Sequence, residues 1–387
     1  VYLCHETKNT FIDFMENPIS CGIGAECRVP SSGAREMARI TWLDWLRAIA
    51  CLMVITIHAC ECVYSNDYSF SFADSTSLWS VMLISGLMRP AVPLFLMASS
   101  FLLLPIKGSV GDFFRRRFTR VAIPFGIWLV LYAVLPAAWG EWSWMQSVEN
   151  VSTVWINFNP RGSHLWFIYM LLGVYLIAPV LSPWLKVVSR RQEEFYIGLW
   201  FLTTFSWHVH EYVGDVAGEC WWNPYPTFYY VSGTFGLVLL AHYIRKYVDW
   251  GVHKTLLVAL PCLIFGYLFC VGWFYHQSDI AEEVRILELS WQPSSFAPAV
   301  MSFGAFLLIR MIRISEGPVY RLVRHISAMS YGIYLMHMMM LPAIFVLFSG
   351  HMPVYCVILA TAVTTYTLCY MLTSLISRLP FGKYIVG

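Results

Sequence analysis

An arginine and a histidine share one apolar stretch of the chain, where each polar side chain needs an explanation. Arg47 and His58 are separated by ten residues. In a helix of 3.6 residues per turn they project from one face, about 16 Å apart along the axis. Asp44, three residues before Arg47, can pair with it and hold its orientation. A histidine here can act as a general base and an arginine can bind an anion. Equally, Arg47 can extend to lipid headgroups while His58 bonds a neighbouring helix.

Two more polar side chains interrupt later apolar stretches. Arg89 is followed by Pro90 and Pro93, and each proline frees a backbone carbonyl that a buried arginine could satisfy. His337 lies in the sequence Ser327 to His337, among apolar residues. It can serve as a base or as a hydrogen-bonding group between helices. A charged side chain at the middle of a bilayer costs at least about 2.5–3.5 kcal/mol.

A third candidate is a basic run that contains Arg117 and Arg120. The two side chains share a helical face one turn apart, which suits a clamp for phosphate groups. The alternative is a cationic anchor at the cytoplasmic membrane surface.

The composition predicts a membrane protein. Hydrophobic residues make up 58% of the 387 positions and charged residues 12%, whereas soluble domains average roughly 45–50% and 25%. The net charge of +2 argues against a nucleic-acid partner. The 11 cysteines include no CxxC pair, and no second pair accompanies His58 and Cys62 at ligand spacing. We therefore predict neither a disulfide framework nor a metal site.

Ten apolar stretches are long enough to suggest membrane-spanning helices, the fifth being short. They cover residues 43–62, 79–104, 121–139, 164–184, 195–209, 226–243, 255–275, 294–313, 327–348 and 354–377. The fold class predicted is an all-α, polytopic membrane bundle of about ten helices.

The connections between these stretches alternate in charge. Even-numbered connections collect Lys and Arg, including Lys107, Arg115, Arg116, Lys186, Arg190, Arg245, Lys254, Arg321 and Arg324. Odd-numbered connections collect acids, including Glu141, Glu149, Glu211, Asp215, Glu282 and Glu283. Cytoplasmic loops are the ones rich in Lys and Arg, so both termini are predicted to be cytoplasmic.

The first 36 residues lack this pattern. They are polar in their second half and contain no basic segment followed by an apolar one, which excludes a secretory signal. We expect residues 1–36 to be a disordered tail or a non-native extension, and residues 37–387 to form a single transmembrane domain.

The stretch from Leu43 to Ala50, ending in His58, resembles the opening helix of the acyltransferase type 3 family. These bacterial membrane enzymes O-acylate cell-surface carbohydrates, and their hallmark is an Arg and a His separated by ten residues. The similarity continues through Arg89 to Phe101, Arg117-x-x-Arg120, His164 to Tyr169 and Ile326 to His337. It covers about residues 40–380, and the whole pattern is similar to the enterobacterial common antigen O-acetyltransferase group. The chain departs from the family at Ser100, where a glycine is usual; this leaves the size of the acyl chain open.

The resemblance implies an O-acyltransferase, most simply an O-acetyltransferase, of the bacterial inner membrane. The donor would be cytoplasmic acyl-CoA, a substrate and not a permanently bound cofactor, and the acceptor a glycan or a lipid-linked saccharide. Arg47, Arg117 and Arg120 would bind the CoA phosphates. His58 would take the proton of the acceptor hydroxyl, with His337 as the other candidate base.

The tetrahedral oxyanion of acyl transfer would need a hydrogen-bond donor, for which Arg89 and Ser99 are the candidates. Two other classes of protein stay open. A secondary transporter or flippase-like exporter would also carry charges in the membrane, although it should show an internal repeat, and we find none. A structural assembly subunit would tolerate changes at Arg47 and His58.

Overall fold

The computed structural model describes residues 40–66, 69–220 and 227–387. The predicted tail, residues 1–36, lies outside these ranges. The part described forms one compact unit, Ile40–Gly387.

The described residues are mainly helical, with almost no strand. The α-helices are α1 (Thr41–Tyr64), α2 (Ser75–Met88), α3 (Ala91–Leu103), α4 (Val110–Ala138), α5 (Trp144–Thr153), α6 (Trp166–Val187), α7 (Arg190–Thr203), α8 (Ser206–Val213), α9 (Phe235–Tyr247), α10 (Val252–Ser278), α11 (Val284–Leu287), α12 (Phe296–Arg310), α13 (Gly317–Phe348), α14 (Val354–Ile376) and α15 (Gly382–Val386). Three short 3₁₀ helices cover Pro160–Leu165, Tyr229–Val231 and Leu289–Trp291. Two-residue strands, β1 (Ser65–Asn66) and β2 (Ser69–Phe70), pair antiparallel with Ser65 opposite Phe70.

Eight helical segments of the described chain are long and apolar enough to cross a membrane. They are Thr41–Tyr64, Ser75–Leu103, Val110–Ala138, Pro160–Val187, Val252–Ser278, Leu289–Arg310, Gly317–Phe348 and Val354–Ile376. This confirms the prediction of an all-α, multi-pass membrane fold.

The fifth and sixth predicted spans form shorter helices. α7 has 14 residues and α9 has 13. A helix of 14 residues is about 21 Å long, less than the roughly 30 Å of a hydrocarbon core. The count of ten spans therefore stays a prediction. With either eight or ten spans, both termini lie on the same side of the membrane, because both counts are even.

α1 lies at the centre of the bundle. It packs against α2, α3, α12, α13 and α14, and Leu46, Ala50, Ile55 and Cys60 along it are fully enclosed. Gly332 lets α13 approach α14 closely, since a Cβ there would come within 2.5 Å of the Thr373 side chain. Small residues at such crossings are typical of membrane bundles. The helix with Arg47 and His58 thus packs against the elements that carry Arg89, Ser99 and His337.

Candidate active site

One pocket near the N-terminal end of α1 brings together four residues singled out in the sequence. It is lined by Arg47 of α1, Ser99 of α3, and Arg117 and Arg120 of α4, and it encloses about 980 Å³ of empty space, its open side included. We call this the arginine pocket. Three guanidinium groups around one cavity form a site suited to a polyanion.

Tyr175 of α6 lies near all three arginines. Its ring is buried, it lines the pocket, and it lies within electrostatic range of Arg47, Arg117 and Arg120. The side chains on α1 and α4 therefore converge on one point although more than sixty residues separate them in sequence.

Asp44 connects the same end of α1 to α13. Its carboxylate accepts hydrogen bonds from the Tyr320 hydroxyl at 2.9 Å and from the Ser327 hydroxyl at 2.8 Å. Ser327 also lines the arginine pocket. These two bonds fix the rotation of α1 against α13, and with it the face on which Arg47 and His58 lie.

Three histidines meet further along α1. The ring centroids of His58 and His337 are 5.2 Å apart, those of His164 and His337 are 4.9 Å apart, and those of His58 and His164 are 6.4 Å apart. They come from α1, from the 3₁₀ helix Pro160–Leu165 and from α13. We call them the histidine cluster. The structure thus joins the two predicted histidines and adds a third.

Glu61 determines which nitrogen of His58 is left for chemistry. Its Oε2 lies 2.6 Å from His58 Nδ1, one turn along the same helix. An ionised carboxylate can only accept, so Nδ1 carries the proton of this bond and Nε2 keeps its lone pair. A carboxylate that orients a histidine in this way is a common partner of a general base.

The other two imidazoles are deeply buried and incompletely satisfied. His337 Nδ1 lies 2.6 Å from the Tyr334 carbonyl oxygen, to which it must donate. Among the described residues, His337 Nε2 and both ring nitrogens of His164 have no hydrogen-bond partner of ordinary geometry. His164 is 3% exposed and His337 0%. Since buried polar atoms are normally hydrogen-bonded, these three nitrogens make the cluster a candidate for contact with a polar group.

Arg89 lies near Glu61, the partner of His58, and does not line the arginine pocket. It sits at the break between α2 and α3 that Pro90 begins, donates from Nη2 to the Ser85 hydroxyl at 2.6 Å, and stacks on Trp291 at 3.9 Å. Its charge acts on the carboxyl of Glu61. Arg89 therefore supports the His58–Glu61 pair, whereas Ser99, the other candidate oxyanion donor, lies with the arginines.

A second carboxyl extends this polar group. Glu288 accepts a hydrogen bond from the Tyr64 hydroxyl, and Arg89 acts on it as well as on Glu61. Burial raises the pKa of Glu288, and Arg89 opposes that rise. The positive charge of Arg89 thus acts on two carboxyls, Glu61 and Glu288, near the C-terminal end of α1.

Tyr334 lies between the two regions. It lines the arginine pocket, and its ring is 5.7 Å from both His164 and His337. Its hydroxyl donates to the His164 carbonyl oxygen. Tyr334 therefore contacts both the arginine pocket and the histidine cluster.

Comparison with known proteins assigns the chain to a family. A family model described as an acyltransferase domain matches residues 40–375. The chain belongs to the acyltransferase type 3 family. A search of curated proteins and a search of solved structures returned no match. With its apolar helices, this member of the family is a multi-pass membrane acyltransferase.

Sequence reasoning about this acyltransferase missed three side chains. Glu61 could have been found, because it follows His58 by three residues and so lies on the same helical face. His164 was part of a stretch that resembles the family, but nothing in its spacing connects it to His58. The same is true of Tyr334, whose position depends on how α13 packs.

A separate group of potential metal ligands lies outside the candidate site. Among the described residues, His210, Asp215 and Glu219 have ligand atoms within 4.8 Å of one another. His210 and Glu219 already bond each other at 3.1 Å, and Asp215 is exposed. The group contains none of the predicted site residues.

Proposed function

We propose that this acyltransferase moves an acyl group, most simply acetyl, from cytoplasmic acyl-CoA to a hydroxyl of a cell-surface or exported carbohydrate. The observation that carries the proposal is the position of the arginine pocket and the histidine cluster along α1, with Tyr334 between them. The charge pattern of the loops assigns the arginine end to the cytoplasm. The protein would then be a multi-pass protein of the bacterial inner membrane.

The arginine pocket suits the donor. CoA carries several phosphate groups, and planar guanidinium groups bind phosphate oxygens in pairs. In this proposal Arg47, Arg117 and Arg120 hold the phosphates at the pocket, and the thioester arm extends along α1. The distance of about 16 Å between Arg47 and His58 along the helix is within reach of such an arm.

The histidine cluster suits the transfer step. His58 Nε2 takes the proton of the acceptor hydroxyl while the hydroxyl oxygen attacks the thioester carbonyl. The carbon–sulfur bond then breaks, the leaving sulfur takes the proton from His58 and departs as the CoA thiol, and an ester remains on the sugar. In this proposal a ring N–H of His164 stabilises the oxyanion, and Arg89, near Glu61, is the other candidate donor.

Sealed membrane vesicles of opposite orientation test whether the donor binds on the cytoplasmic side and the acceptor on the other side. Inside-out vesicles given acetyl-CoA labelled in the acetyl group should form an alkali-labile ester on carbohydrate, detected by mass spectrometry. Right-side-out vesicles given the same donor should not. Label in carbohydrate in both orientations, or in neither, would contradict the proposal. Accumulation of a labelled compound without any new ester would favour a transporter.

A further inference from the structure

A groove on the side of the bundle adjoins the histidine cluster. It runs between α4 and α13 and encloses about 800 Å³, its open side included. Tyr132 of α4 lines it, and the Tyr132 ring is 5.0 Å from His164. On α13 the groove begins at Met338, the residue after His337. We call this the lateral groove.

The lining of the lateral groove changes along its length. Within the two spanning helices it is apolar, with Pro136 facing Pro342 and Ala343. At the end beyond the helices it is polar: Arg161 pairs with Glu141, and Glu141 accepts from Trp139 Nε1 at 3.2 Å. An apolar trough with a charged and aromatic end fits an amphiphile, its chain along the helices and its headgroup at the mouth.

The surface beside the mouth is itself suited to a lipid interface. α5 follows Trp139 and exposes Trp144, Met145 and Val148. Exposed tryptophans and aliphatic side chains on a short helix are typical of a segment that lies in the headgroup region. The mouth therefore opens beside the bilayer surface, where a headgroup of a membrane lipid would be found.

The polar end of the groove has the chemistry of a carbohydrate site. Trp139 is 55% exposed, so one ring face is available to stack on a sugar. Glu141 and Arg161 offer an acceptor and donors for hydroxyl groups. Arg161 also acts on Cys62 of α1, four residues after His58, which places the mouth near the reacting end of that helix.

We propose that the acceptor is a saccharide carried on a lipid, and that it enters the lateral groove sideways from the outer leaflet. The lipid chain lies between α4 and α13, and the sugar lies against Trp139, Glu141 and Arg161, which is three residues before His164 of the histidine cluster. The direction of transfer rests on the proposed function; the occupancy of the groove does not.

A photoreactive alkyl glycoside tests the occupancy directly. The probe is dodecyl maltoside with a diazirine in its chain, added to the full-length protein in phospholipid vesicles. After illumination, peptide mass spectrometry should find the label on α4 and α13 near Pro136 and Ala343. Unlabelled dodecyl maltoside should compete, and maltose at the same concentration should not, because it lacks the chain.

Two tryptophan variants provide the matched comparison. Ala343→Trp fills the groove and should lower the labelling by about tenfold or more. Ala360→Trp adds the same bulk on α14, at a half-buried position outside the groove, and should leave the labelling unchanged. Trp139→Ala should weaken labelling with the fold intact, because it lies at the surface. Labelling spread evenly over the lipid-facing helices, or labelling of Ala343→Trp at the wild-type level, would overturn the proposal.

Acetyl transfer measured on the same samples separates the two proposals. Transfer by the wild type, without selective labelling of the groove, would refute the lateral groove alone. Selective labelling of the groove, without any acetyl-CoA binding or transfer, would refute the proposed function alone.

Discussion

The arginine pocket and the histidine cluster lie along the same helix, yet they are built in opposite ways. The pocket is open, and Arg120 in it is exposed. The cluster is closed, with His164 and His337 almost inaccessible. Charged groups can bind phosphates in contact with water because bidentate geometry adds to the charge. Hydrogen bonds made by buried nitrogens are stronger because water does not compete. Under the proposed function, this difference suits donor binding in the pocket and acyl transfer in the cluster.

A second histidine–glutamate pair shows that the bond alone does not make a site. His242 Nδ1 of α9 lies 2.7 Å from Glu193 Oε1 of α7, much like His58 and Glu61. That pair is 5% and 0% exposed and joins two helices, whereas the His58 and Glu61 side chains are 17% and 30% exposed on one helix. Within the described parts of the chain, His58 has two further imidazoles beside it, and His242 has none.

The largest effect is expected at His58. His58→Ala should lower the turnover rate on the order of 10²–10⁴-fold, because the general base is lost, while acyl-CoA binding to the arginine pocket is kept. His58→Gln should be nearly as slow, since an amide cannot take up the proton.

Turnover and equilibrium donor binding, measured on the same purified variants, check this. Near-native turnover of His58→Gln would show that His58 is not the base and only forms a contact between helices. His337→Ala would then show whether α13 holds the base.

A smaller loss is expected at Glu61. Glu61→Gln should slow turnover by about 10²-fold, because the neutral amide no longer fixes the proton on His58 Nδ1. Glu193→Gln is the matched control: it should lower thermal stability and leave turnover per folded molecule unchanged. Equal losses of turnover in both variants would mean that the two pairs are alike and that Glu61 is structural.

Substitutions in the arginine pocket should lower the affinity for acyl-CoA and leave the rate of acyl transfer unchanged. Arg117→Lys or Arg120→Lys should each weaken acyl-CoA binding by about tenfold, since lysine keeps the charge but loses the planar two-pronged contact. The maximal rate at saturating donor should change little. Normal donor binding with a lower membrane yield would instead identify the arginines as topological anchors.

The smallest loss of turnover is expected at Tyr334, which contacts both regions, because its substitution removes one hydrogen bond and keeps the ring. Tyr334→Phe removes the hydrogen bond to the His164 carbonyl, worth about 1 kcal/mol, and keeps the ring. We expect turnover to fall by roughly fivefold with donor affinity unchanged. A fall in donor affinity without a change in turnover would place Tyr334 in the arginine pocket only.

The sequence by itself determined what depends on local periodicity and on burial in lipid. The apolar stretches predicted the helical membrane fold, because a spanning backbone must satisfy its own hydrogen bonds. The spacing of Arg47 and His58 placed both on one face of α1, because the helical repeat is fixed. Family motifs pointed to acyl transfer, and the family assignment confirms that class.

Only the tertiary structure decided which faces meet. His58, His164 and His337 come from segments more than a hundred residues apart, and no sequence period relates them. Ser99 and Arg89 both lie near prolines in one predicted span, yet the break at Pro90 places them in different regions. In a membrane all lipid-facing surfaces are similarly apolar, so the choice of neighbours rests on close packing and on a few polar bonds such as those of Asp44. Those contacts join distant parts of the chain, which is why periodicity along the sequence cannot reveal them.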